Sequence, residues 1–74
     1  MVKITYCGEW NYQPRAAGLA TELLQKLGLN SQLERSRGGI FEVEYGGELV
    51  FSKKKLHRFP DEGEIVDLIK KAFA

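Results

Sequence analysis

The hydrophobic period of this chain changes once within residues 1–28, from two to a helical spacing, and that change constrains the fold more than any other feature. Val2, Ile4 and Tyr6 alternate with Lys3, Thr5 and Cys7, as in a strand with one dry face. Gly8 and Asn11 interrupt the alternation. Pro14 suits the first turn of a helix, where its missing N–H costs nothing. From there Ala16, Ala20, Leu23, Leu24 and Leu27 fall on one helical stripe. Gly28 is a natural stop, because it accepts a left-handed conformation without a steric penalty. The spacing therefore predicts a β-turn-α unit over residues 1–28.

Four further elements follow. Ser31–Arg37 is polar with Leu33 its only large apolar residue, and reads as a weak strand; Gly38-Gly39 makes a turn. Phe41, Val43 and Tyr45 alternate with Glu42 and Glu44, which predicts a strand with one wet face. Gly46-Gly47 is a hairpin signal that tolerates positive φ at both centres, and Leu49-Val50-Phe51 is the returning strand. Lys53 to Phe59 reads as a basic connector ending at Pro60. Asp61 and Glu64 match an acidic capping box, with Ile65, Leu68, Ile69, Ala72 and Phe73 on the dry face of a closing helix. Lys70 and Lys71 in its last turn complement the helix dipole. The order β-α-β-β-β-α, with two striped helices and a sheet dry on one face, predicts a small α/β domain of the α+β two-layer sandwich type. At 74 residues, one domain spanning 1–74 is expected.

Bulk properties exclude more than they suggest. A net charge of +1 gives no electrostatic reason to expect nucleic acid or a membrane surface as partner. The start Met1-Val2-Lys3-Ile4-Thr5 lacks the apolar run of a signal peptide, and no stretch reaches the roughly 20 apolar residues that span a bilayer. The single cysteine, Cys7, rules out an internal disulfide, whereas a secreted domain of this size usually needs such staples. A cytoplasmic protein is expected. His57 has no second His or Cys nearby, so neither a metal site nor a cofactor is expected.

The candidate chemistry lies at Cys7-Gly8-Glu9-Trp10, where strand gives way to helix. A thiol there feels unpaired backbone N–H groups, which favour the thiolate, while the Glu9 carboxylate opposes a second negative charge. Sequence leaves the sign of the net effect open. A lone cysteine after a strand is also an ordinary small buried hydrophobe, and Trp10 an ordinary packing residue. Trp10 stands three residues after Cys7, where a second thiol would complete a Cys-x-x-Cys turn, and an indole cannot attack or resolve a disulfide.

The run Tyr6-Cys7-Gly8-Glu9-Trp10-Asn11-Tyr12-Gln13-Pro14 resembles the redox turn of selenoprotein W and its bacterial relatives. Gly39 to Val43, Gly46 to Lys54 and the ending from Arg58-Phe59-Pro60 are similar to the rest of that family, so the resemblance covers nearly the whole chain. It implies a thioredoxin-like fold and a Cys-x-x-Sec or Cys-x-x-Cys motif after the first strand. The family's first redox residue falls on Cys7, as resolving thiol. Its second, the attacking selenol or thiol, falls on Trp10, where this sequence departs from the pattern. Either Trp10 stands in for selenocysteine, whose codon UGA differs from tryptophan's UGG only in its last base, or the chain is a variant that has lost its second redox group. The first explanation is favoured, because the residues around position 10 keep the pattern of the turn. The cis-proline that faces the active turn in ordinary thioredoxins has no counterpart, since Pro60 comes too late.

The resemblance thus implies a monomeric protein that exchanges thiols or selenols with disulfides of glutathione or of a redox partner protein. The alternative is a non-catalytic interaction module that uses Trp10 and Tyr12 as docking anchors. The basic cluster Lys53-Lys54-Lys55, His57 and Arg58 suits the carboxylates of glutathione or an acidic partner surface; as ordinary protection of an edge strand it would need no ligand.

Overall fold

The computed structural model describes residues 1–73. Its elements are β1 (Val2–Cys7), α1 (Gln13–Leu27), β2 (Ser31–Ser36), β3 (Phe41–Tyr45), β4 (Glu48–Ser52), α2 (Lys53–Leu56) and α3 (Glu64–Phe73). The strands form one sheet in the order β2-β1-β3-β4. β2 runs parallel to β1, and β3 and β4 run antiparallel to their neighbours. The parallel pair requires a crossover, which α1 supplies. Gly46 and Gly47 close the β3–β4 hairpin at φ 62° and 79°, so both centres take the sign that glycine tolerates.

One sheet face carries the core. Val2, Ile4 and Tyr6 of β1 and Phe41 and Val43 of β3 are buried against Ala16, Leu19 and Leu23 of α1 and Ile65, Val66 and Ile69 of α3. Each large apolar side chain buried in this way contributes roughly 1.5–3 kcal/mol. The opposite face is polar. Lys3 and Glu34 pair across β1 and β2 at 3.2 Å, and Ser52 Oγ donates to Glu42 across β3 and β4 at 3.2 Å. This is the two-layer α+β sandwich that the hydrophobic patterning predicts.

Four local expectations need correction. On α1, Leu24 is half exposed, and its place in the core is taken by Leu19, which faces Phe41 and Phe59 across a cleft. The connector after β4 begins with a turn of helix, because Ser52 Oγ accepts the Lys55 N–H at 3.4 Å and caps α2. The Asp61–Glu64 box closes from one side: Glu64 Oε1 accepts the Asp61 N–H at 2.9 Å, while the Asp61 carboxylate lies 3.8 Å from Arg58. At the end of α3, Ala72 and Phe73 are exposed, and Val66 joins the buried face instead. Phe73 still packs its ring edge-on against Tyr45, with centroids 4.8 Å apart.

Candidate functional site

Cys7 is the last residue of β1, and backbone hydrogen bonds fix both sides of it. Its N–H donates to the Ile40 carbonyl at 2.9 Å, and the Gly8 N–H donates to the Ser36 carbonyl at 2.9 Å. The thiol is therefore clamped between the end of β2 and the glycine turn that leads into β3. Residues 8–12 form the turn, and α1 begins at Gln13 with Pro14 in its first turn. Tyr12 is the N-cap and its side chain makes no capping bond, so backbone alone organises the helix start.

The two candidate residues occupy opposite environments on this turn. Cys7 is 1% exposed, whereas Trp10 is 64% exposed. Burial pushes the Cys7 thiol up, backbone hydrogen bonds from Glu9, Gly39 and Trp10 pull it down, and the Glu9 charge pushes it up again; the net effect lies below the ordinary thiol value. The opposing influences weighed from sequence thus resolve toward the thiolate, through a ring of backbone N–H groups and no cationic side chain.

Gly39 has two roles here. It helps hold down the thiol, and it forms the floor beneath position 10: a Cβ on it would lie 2.8 Å from Trp10 Cζ3. Its φ of 68° already favours glycine. From Trp10 an aromatic row leads inward. Trp10 meets Tyr12 at 6.0 Å between centroids, Tyr12 meets Phe59 at 4.8 Å, and Phe59 meets the buried Phe41 at 5.5 Å, all edge-on. Lys53 Nζ lies 5.6 Å from the Tyr12 ring and 5.4 Å from the Phe59 ring, and Arg15 Cζ lies 4.0 Å from the Phe59 centroid.

Sequence reasoning did not single out Arg35. In the parallel register it sits opposite Tyr6, and its Nη2 donates to the Gly8 carbonyl at 3.1 Å. A Cβ on Gly8 would collide with the Arg35 stem, so glycine there lets the guanidinium lie across the turn. The cleft they share is also lined by Glu9, Trp10, Asn11 and Gln13. The signal that would have found Arg35 is the strand pairing, which the local pattern does not carry. The basic cluster divides in two. Arg58 turns to Glu64 and makes two hydrogen bonds of 2.7 Å, while Lys53, Lys54 and His57 line a hollow beside Gly38 and Gly39. Among the described residues, no group of three or more His, Cys, Asp or Glu gathers to hold a metal ion, and no helix is long and apolar enough to cross a membrane.

A buried thiol at a strand-to-helix turn, on a β-α-β-β-β-α two-layer frame, defines a thioredoxin-like domain. Solved structures agree. A selenoprotein W-related protein from Vibrio cholerae superposes with a TM-score of 0.90 at 25% identity, over 99% of this chain and 95% of its own. A Bordetella parapertussis protein matches with the same TM-score and identity, over 97% and 95%. A SelT-like protein of Arabidopsis thaliana is 43% identical over 72 residues, which are 93% of this chain and 34% of that protein. The chain thus spans about a third of the length of this curated relative. The Rdx family model matches residues 1–71, and the chain belongs to the Rdx family. Membership supports a redox-related function in general terms.

Proposed function

We propose that this chain is a redox protein of the selenoprotein W type, working in a reducing cytoplasmic compartment through the Cys7-x-x-Trp10 turn, with Trp10 in the place of the attacking selenol or thiol. The observation that carries this reading is the contrast in exposure along the turn. An attacking group must reach a disulfide in solution, and position 10 stands out from the surface at 64% exposure. A resolving thiol needs only to reach its neighbour, and Cys7 is buried with its thiolate favoured by backbone N–H groups.

In the two-group reaction, a selenolate or thiolate at position 10 attacks one sulfur of oxidised glutathione. One S–S bond breaks, one mixed bond forms, and a glutathione thiolate leaves. Cys7 thiolate then attacks residue 10 of the mixed species, closes the intramolecular bond and releases the second glutathione thiolate. Two electrons pass from the protein to glutathione disulfide. With an indole at position 10 neither step is open to that residue. The chain as it stands has at most one exchange open to it: once the turn opens to expose the buried sulfur, Cys7 thiolate attacks the disulfide, one glutathione is retained on sulfur and one is released.

Mass spectrometry after incubation with oxidised glutathione tests the reading, with a single adduct on Cys7 expected. Absence of an adduct on the folded protein would contradict it. Codon 10 of the native gene tests the role given to Trp10: UGA is expected, and a genomic UGG would show that tryptophan is the natural residue.

A further inference from the structure

The hollow beside the turn is positively lined, and its lysines have no ion-pair partners among the described residues. Gly38, Gly39, Ile40, Lys53, Lys54 and His57 enclose about 520 Å³. Trp10 lies next to it: the indole approaches Gly39, one of the lining residues, and itself lines the cleft on the Arg35 side of the turn. Among the described residues Lys53, Lys54 and Lys55 make no ion pair, whereas Arg58 is paired with Glu64 and Asp61. β4, one of the two edge strands, ends at Ser52; the lysines lie beyond it in α2, where Lys53 and Lys54 line the hollow beside the glycine turn. Lys53 is also held in place, its ammonium group set against the Tyr12 and Phe59 rings.

We infer that this hollow forms a docking site for an acidic segment of a partner protein. Its carboxylates lie against Lys53, Lys54 and His57, whichever residue stands at position 10. Charge complementarity identifies the occupant: the hollow is lined by Lys53, Lys54 and His57 and has no acidic side chain in its lining. On the other side of the turn Glu9 lies in a cleft with Arg35 and Arg37. A net charge of +1 favours a short acidic peptide over a nucleic-acid backbone, which needs an extended basic track. The site goes beyond the thiol chemistry proposed for Cys7 and does not require it.

Trp10 is the chain's one tryptophan and reports occupancy directly. The probe is a synthetic Glu/Asp-rich peptide with one phenylalanine and no tryptophan. Its Gln/Asn counterpart and a single-stranded oligonucleotide serve as comparisons. Saturable change in Trp10 emission is expected with the acidic peptide alone, weakening as salt is raised. The double variant Lys53→Glu/Lys54→Glu should weaken binding by about tenfold or more. Lys70→Glu/Lys71→Glu makes the same change in net charge in the last turn of α3 and should leave binding intact, as should Cys7→Ser. Equal binding of the Gln/Asn peptide, tighter binding of the oligonucleotide, or no response to the acidic peptide would overturn the proposal. So would indifference to Lys53→Glu/Lys54→Glu in a variant whose circular dichroism is unchanged. Glutathionylation of Cys7 is read separately by mass, so failure of docking and failure of the redox reading are distinguishable.

Discussion

Two loops in this molecule lead into its long helices, and they are built in opposite ways. The loop before α3 is tied together by side chains. Arg58 grips the Glu64 carboxylate with two hydrogen bonds of 2.7 Å and donates to the Phe59 carbonyl at 3.1 Å, while Glu64 also accepts the Asp61 N–H. The loop before α1 is tied together mainly by backbone, with the Arg35 hydrogen bond to the Gly8 carbonyl added from β2. Tyr12 makes no side-chain cap, the clamps on Cys7 and Gly8 run to main-chain carbonyls, and Glu9, Trp10 and Asn11 are left facing solvent. Side chains committed to holding a loop are not free to meet a ligand. The difference between the two loops supports the proposal that the loop before α3 serves the fold's junction and the loop before α1 the redox turn.

The largest effect expected from perturbing this contrast is at the backbone-built loop. Cys7→Ser should abolish the glutathione adduct completely, while Arg58→Ala in the other loop should leave adduct formation unchanged; mass spectrometry reads both. An adduct that survives Cys7→Ser, or that is lost in folded Arg58→Ala, would erase the distinction.

Next is Gly39→Ala. The added methyl meets the Trp10 ring at a positive φ, so a loss of about 1–2 kcal/mol is expected from strain of this kind. Displacing the Gly39 N–H should also raise the pH at which the Cys7 thiolate appears in the ultraviolet spectrum. Loss of stability with an unchanged thiol titration would show that Gly39 serves the fold alone.

The smallest effect belongs to the loop held by side chains. The Arg58 side chain and the Asp61 N–H hold the Glu64 carboxyl down to about 2, against an ordinary 4.5. Because the folded-state value is the lower one, the stabilisation is fully present above pH 4.5 and is lost as pH falls through about 2. Glu64→Gln should cost about 1 kcal/mol at neutral pH, the upper end for a partly exposed pair. In a domain of this size that is a melting-temperature drop of roughly 4–8 °C. It should also flatten the acid limb of the melting curve; an acid limb identical to that of the parent would assign acid sensitivity to other carboxylates.

Legibility in the sequence follows the same division. The start β1-turn-α1, the Gly28 cap and the Gly46-Gly47 hairpin are legible because each rests on neighbours in the chain. Gly28 indeed takes φ 68°, with its N–H donated to the Leu24 carbonyl at 3.0 Å. Periodicity also shows that α1 has a dry stripe, but not which flank of the stripe is covered. Leu19 and Leu24 border it on opposite sides, and the neighbourhood of Phe41 and Phe59 buries the first and leaves the second in solvent. Arg35 and Gly39 escape a reading of the turn because they reach it through strand pairing and a distant glycine turn. Cys7 and Trp10 are visible as a spacing; their unequal exposure is a tertiary property.

Trp10→Cys tests most directly the central proposal, that the turn retains the geometry of a two-group redox centre and lacks only a competent atom at position 10. Mild oxidation of that variant should consume both thiols within one chain, giving a disulfide that glutathione reduces, with a potential in the range of roughly −180 to −270 mV seen for thiol oxidoreductases. Thiols that stay free, or that pair only between molecules, would contradict it.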